Sequence, residues 1–193
     1  MPKTTFINLK SDKRNLIVQS GLKEFADHSY AEASISRLVK NIGIAKGSMY
    51  QYFDDKSDLY TYLIQLSVDR KYEILDYVAK KVSDDLGLWL LQTCLVELKF
   101  VQEFPEMQRL LNRAELESKV PIREMEHKFV EDYLRKFRPG SSQQELAVKV
   151  FLIGTVKRGI IDKFTGSDLS DEVINDFINP LTQTVTKHVT IQS

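Results

Sequence analysis

Apolar residues recur at intervals of three and four along nearly the whole chain, and that spacing restricts it to helices. Over 11–28, Ile17, Gly21 and Phe25 share a face with Leu22 and Ala26. Over 55–80, Leu59, Leu63, Leu66 and Arg70 lead on to Ile74 and Tyr77. Residues 121–137 repeat the pattern with Met125, Phe129, Tyr133 and Phe137, and 169–188 with Val173, Phe177, Leu181 and Val185. Strand signals are thin. "KHVTIQS" at the end is the β-branched cluster that stands out, and it reads as a frayed tail. The pattern predicts an all-α chain of about nine helices.

Capping and breaking residues set the boundaries. Ser11 is placed to cap the first helix and Ser34 a short second one, which Gly43 ends because glycine tolerates the left-handed conformation. Asp55, with Asp58 three residues on, resembles a capping box. Pro105 and Pro121 stand where helices open without needing an amide. "RPGSSQ" (138–143) and "TGSDLSDE" (165–172) read as breaks. Pro180 lies inside the last apolar pattern and is expected to kink or split that helix.

Bulk properties narrow the class. No apolar run reaches the length of about 18 residues that spans a bilayer, and "MPKTTFINLKSDKR" lacks a signal-peptide apolar stretch. The single cysteine, Cys94, excludes an internal disulfide framework and a cysteine-based zinc site. A cytoplasmic location is the expectation. Net charge is zero, yet residues 1–57 carry nine Lys/Arg against six Asp/Glu. That excess leans toward an anionic partner at the N-terminal end.

The segment "SISRLVKNIGIAKGSMYQYF" (34–53) has the spacing of a helix-turn-helix. Leu38, Ile42, Ile44 and Met49 can meet in a small core closed by Phe53, with Gly43 making the turn. The second helix then presents Ala45, Lys46, Gly47, Ser48 and Gln51 outward. Small residues let a backbone approach the floor of the DNA major groove; Lys46 can reach a guanine edge or a phosphate, and Gln51 can make a bidentate contact to adenine. Tyr50 and Tyr52 place hydroxyls where phosphate oxygens would run. Ser34, Lys56 and the amides opening the next helix can receive phosphates.

These residues resemble the TetR family of bacterial transcriptional regulators. Gly43, Gly47, Tyr50, Phe53, Lys56 and Leu59 match the family pattern outright, and Ile44, Ser48 and Met49 conservatively. The resemblance covers about residues 10–62. Val39 and Ile42 replace the usual alanines, and Gln51-Tyr52 replaces the common Tyr-His pair. It implies a DNA-binding domain over 1–57, a linking helix over 55–80, and a helical ligand-binding and dimerisation domain over 58–193. It also implies a homodimeric regulator, a repressor, reading a palindromic operator in double-stranded DNA and answering to a small-molecule effector.

The remainder carries its own signals. In "ELAVKVFLIGTVKRGIIDKF" (145–164), Gly154 and Gly159 among branched residues permit close helix approach. With the seam over 169–188 they suit a four-helix interface between two chains, the alternative being packing within one chain. In "LWLLQTCLVELKFVQEF" (88–104), Gln92, Lys99 and Glu103 define a wet side. Glu97 lies roughly 140° from Gln92, on the apolar face. A carboxylate there needs a partner. It can be a counter-ion for a cationic or hydrogen-bonding ligand, in a pocket drawn from Trp89, Thr93, Phe100 and Phe104, or it can pair with a Lys or Arg of a neighbouring helix.

No catalytic constellation competes. Glu124 and His127 have the spacing of a di-metal carboxylate helix, but neither His28 nor His188 has a glutamate three residues before it. "GIAKGS" lacks the ending of a phosphate-binding loop. Cys94 sits mid-helix among leucines, as a small buried thiol would. No metal or organic cofactor is expected, nor enzymatic activity. The alternative reading is a small-molecule-binding bundle with no affinity for DNA.

Overall fold

The computed structural model describes residues 1–82, 85–117, 121–137, 140–167 and 169–190. Parts of the "RPGSSQ" and "TGSDLSDE" breaks, the last three residues of "KHVTIQS" and the side chains of Phe137 and His188 lie outside the described residues. In chain order the helices are α1 (Thr4–Ile7), α2 (Ser11–Asp27), α3 (Ile35–Ile42), α4 (Lys46–Tyr50), α5 (Lys56–Lys81) and α6 (Leu86–Glu103). There follow α7 (Pro105–Leu116), α8 (Ile122–Phe137), α9 (Gln143–Phe164), α10 (Asp171–Val173), a π turn (Ile174–Ile178) and α11 (Asn179–Thr190). No strand occurs among the described residues, and none of the helices is long and apolar enough to cross a membrane.

The chain divides into two compact units. One comprises Met1–Arg70 with Phe104–Val120, the other Lys71–Glu103 with Pro121–Ser193. This boundary differs from the expected one at 57/58. It falls inside α5, and α7 joins the N-terminal helices. α7 buries Met107, Leu110, Leu111 and Ala114, and polar contacts that sequence spacing does not reveal add to this. Arg109 Nη1 donates to Asp27 Oδ1 at 2.8 Å, Arg113 Nη2 to the Ala26 carbonyl at 3.2 Å, and the Tyr30 amide to Glu117 Oε1 at 3.1 Å.

In the first unit the core is Ile17, Leu22 and Phe25 of α2, Leu38 and Val39 of α3, Met49 of α4, and Leu59 and Leu63 of α5. Gly21 lets α2 approach α5: a methyl built on it would stand 2.7 Å from Leu63 Cδ1. Phe6 of α1, a helix the periodicity did not announce, buries its ring against Phe53 at 4.8 Å and Tyr62 at 5.5 Å. The cap expected at Ser11 is displaced by one residue. Lys10 occupies the N-cap position without a side-chain bond, and Ser11 begins the helix.

The second unit is a bundle in which α9 contacts α6, α8 and α11. Its core gathers Trp89, Leu90, Cys94 and Leu98 of α6, Val130, Tyr133 and Leu134 of α8, Leu146, Val150, Ile153 and Ile160 of α9, and Ile178, Val185 and Val189. Two apolar stripes differ from expectation. Tyr77 is 61% exposed, and the buried face of α5 passes instead through Ile64, Val68, Lys71 and Leu75. At the C-terminal end the π turn adds a residue to the helical register. The buried stripe becomes Ile178, Thr182, Val185 and Val189, leaving Phe177 exposed. The turn sits where Pro180 requires it: proline cannot donate to the ladder, and its ring crowds the carbonyl four residues back. The Asn179 amide accordingly bonds to Ile174 O, five residues earlier. Val189 is buried and α11 runs to Thr190, so the described part of "KHVTIQS" is helical.

Candidate nucleic-acid interface

The helix-turn-helix is held by three local devices. Ser34 Oγ accepts from the Arg37 amide at 3.3 Å, capping α3. Gly43 adopts φ +69°, the left-handed conformation that ends α3, while the Ile44 amide returns to Val39 O at 3.1 Å. Asp55 Oδ1 accepts from the Asp58 amide at 2.8 Å and so caps α5. A fourth device is not visible in local spacing. Glu24 of α2, almost fully buried, accepts from the Ser34 amide at 2.7 Å and from Arg37 Nε at 2.9 Å. Burial pushes the Glu24 carboxyl up, but the Arg37 guanidinium and the Ser34 amide outweigh it and hold it below its ordinary value. A single carboxylate thus ties the start of α3 to α2.

Met49 points inward and is buried, which turns the other side of α4 to solvent. Ala45, Lys46, Gly47 and Gln51 are exposed, Ser48 is half-buried, and Tyr50 is 44% exposed. The exposed surface from Ala45 to Gln51 therefore carries two small residues, an amine, a carboxamide and a phenol.

Two of the expected phosphate contacts are corrected. Tyr52 is only 6% exposed, its ring 6.1 Å from that of Phe6, so it braces the core. The Lys56 ammonium donates to the carbonyls of Tyr30 at 2.6 Å, Ala31 at 3.4 Å and Ala33 at 3.1 Å, and lies 4.5 Å from the Tyr30 ring centroid. Three acceptors use its three N–H groups. Lys56 closes the 30–33 loop ahead of α3.

The residues expected to hold a ligand are distributed over both units. Trp89, Thr93, Glu97 and Phe100 are all buried in the second unit, whereas Phe104 belongs to the first, with the Arg70 guanidinium 5.4 Å from its ring. Trp89 stacks on Tyr133 at 3.9 Å, and the Thr93 hydroxyl donates to Leu90 O at 3.1 Å. The ligand counter-ion role anticipated for Glu97 gives way to the alternative. Its carboxylate lies 3.0 Å from Lys157 Nζ and 3.2 Å from Lys71 Nζ, and Lys71 reaches Glu126 at 3.2 Å. Burial would raise the Glu97 carboxyl; the two ammonium groups overcome this and bring it down to about 2. Cys94 is buried nearby, and burial pushes its thiol up to about 12.

Gly154 sits at a close approach of α9 to α8. A methyl there would stand 3.2 Å from Cδ2 of His127, so it accommodates α8 within the same unit. The exposed apolar side chains of α9 are Val148, Phe151 and Leu152.

The chain is similar to known transcriptional regulators. The family described as "Bacterial regulatory proteins, tetR family" matches residues 17–63, which span α3, α4 and the adjoining parts of α2 and α5. The chain is 30% identical over 101 residues to the HTH-type transcriptional regulator AcrR of Shigella flexneri, an alignment covering 52% of this chain and 46% of that one. It is 36% identical over 58 residues to an HTH-type transcriptional regulator of Staphylococcus aureus strain USA300, covering 30% and 31%. The chain thus spans less than half the length of these curated relatives. Among solved structures, a TetR family transcriptional regulator from Chloroflexus aurantiacus superposes with TM-score 0.67 at 24% identity, covering 99% of this chain and 96% of that one. A TetR-like regulator from Rhodococcus gives 0.70 at 16% identity, covering 95% and 99%. The fold is shared throughout.

Proposed function

From a chain that carries the helix-turn-helix of the tetR family of bacterial regulatory proteins, we propose a cytoplasmic transcriptional regulator, a repressor, that binds a palindromic duplex as a homodimer and releases it when a small-molecule effector binds. The observation that carries this reading is the exposed face of α4, where Ala45, Lys46, Gly47, Tyr50 and Gln51 stand clear of the core that Met49 anchors. Ala45 and Gly47 allow close approach, Lys46 and Gln51 read base edges or phosphates, and Tyr50 and Ser34 contact the backbone.

A two-fold assembly follows from reading a palindrome, because the two recognition helices must sit about 34–36 Å apart to enter successive major grooves. The surface proposed for it lies on 145–164 and 169–188. Val148, Phe151, Leu152 and Phe177 are large apolar side chains left exposed there, Phe151 at 66%. Exposed apolar groups in such number on neighbouring helices favour a protein partner. The effector is proposed to act on the second unit and, through α5, to change the separation of the two reading helices.

The test is titration of the protein against duplexes recovered by in vitro selection. Tight binding with a steep inverse dependence on salt is expected, together with a dimer in sedimentation that Phe151→Glu dissociates. An absence of duplex affinity at low salt would leave the ligand-binding bundle as the better reading.

A further inference from the structure

α4 is five residues long, too short to hold itself together. The last carbonyls of a helix have no partner inside it; those of Ser48 and Met49 accept from the amides of residues 51–53, and the next carbonyls, from Tyr50 onward, find partners in a remote segment. Tyr50 O accepts from Lys3 Nζ at 2.9 Å, Gln51 O accepts from the Thr5 hydroxyl, and Tyr52 O accepts from the Lys3 amide at 2.9 Å. Three consecutive carbonyls are thus satisfied by residues 3 and 5. Lys3 Nζ also pairs with Asp54 Oδ1 at 2.7 Å. The segment is itself anchored, since Phe6 is buried among Tyr52, Phe53 and Tyr62. The family match begins only at residue 17, so it assigns nothing to these positions.

We propose that Lys3 and Thr5 are positioning residues for DNA recognition: they cap the C-terminal end of α4 and thereby fix the pose of its reading face. This rests on the DNA-binding reading above. Lys3 acts through the helix it caps, and its ammonium is engaged by a carbonyl and a carboxylate of the protein.

The experiment compares wild type with Lys3→Met, Thr5→Val and the double variant, each titrated against a duplex selected on wild-type protein. Amide hydrogen exchange is measured in parallel on the free proteins. The double variant is expected to lose about fivefold or more in affinity at every salt concentration, the scale of one lost hydrogen bond, with the salt slope unchanged. Exchange at the amides of residues 51–53 should accelerate, and Thr5→Ser should behave as wild type. A salt slope reduced by about one with unaltered exchange would make Lys3 a phosphate contact and overturn the proposal. Unchanged affinity and exchange would overturn it equally. Wild-type protein that bound no selected duplex would defeat the DNA reading alone, and the exchange measurement would still decide whether the cap exists.

Discussion

The Lys157 ammonium lies 3.0 Å from the Glu97 carboxylate, with each side chain less than a tenth exposed. Lys71 approaches the same carboxylate from α5 at 3.2 Å, so one buried anion meets two buried cations. Glu126 adds a second anion, which Arg158 contacts at 2.7 Å. Removing a buried ion costs more than the pair is worth, because the partners stay behind uncompensated.

Glu97→Gln is therefore expected to destabilise the second unit by about 3–5 kcal/mol at neutral pH. Urea unfolding followed by the fluorescence of Trp89, the sole tryptophan and fully buried in that unit, measures it. The pH dependence has a defined sign. The Glu97 carboxyl is lowered from 4.5 to about 2, so its contribution is complete above pH 4.5 and is lost as pH falls toward 2. The gap between wild type and variant should narrow across that window. A gap independent of pH would refute the assignment.

Lys56→Met should act on stability and leave electrostatics alone. It leaves the carbonyls of Tyr30, Ala31 and Ala33 without their shared donor. A loss of about 1–3 kcal/mol from the first unit is expected. The salt slope of duplex binding should equal that of wild type. A slope lower by about one would mean that Lys56 neutralises a phosphate after all.

Variants on the exposed face of α4 should separate by role. Gln51→Ala is expected to relax preference at one base pair, with a discrimination loss of about 1–3 kcal/mol there. Tyr50→Phe should weaken all duplexes alike, as loss of a backbone contact does. Selection experiments repeated on each variant read the difference. Identical base preferences for Gln51→Ala and wild type would remove Gln51 from base readout.

Gly21→Ala should strain the crossing of α2 and α5, where the added methyl meets Leu63 Cδ1 at 2.7 Å. Overpacking of this kind costs about 1–3 kcal/mol. Leu63→Val removes the opposing atom, so the double variant should recover part of the loss. A thermodynamic cycle over the two sites measures the coupling; additivity would show that the two residues do not meet.

Much of this architecture was legible in the chain. The three- and four-residue spacing made it helical, Gly43 marked the turn, and Ser34, Asp55 and Pro105 marked helix starts, because caps and turns act on their own neighbours. Pro180 foretold a disturbance, although the form it took, a π turn that moves burial from Phe177 to Ile178, depended on packing. A signal for the buried ions was also present. Glu24, Lys71 and Lys157 each fall on the apolar stripe of a helix, as Glu97 does, and a charge there needs a partner. Which partner it takes is set by how helices distant in sequence are brought together.

The residues by themselves determined the longer helices and the turn between α3 and α4, since each depends on contacts within a few positions. Tertiary structure alone decided that Lys56 serves a loop, that Glu97 belongs to two lysines, and that residues 3 and 5 close the end of α4. Those outcomes rest on donors and acceptors that meet only when distant segments pack, and spacing along a chain carries no record of that meeting.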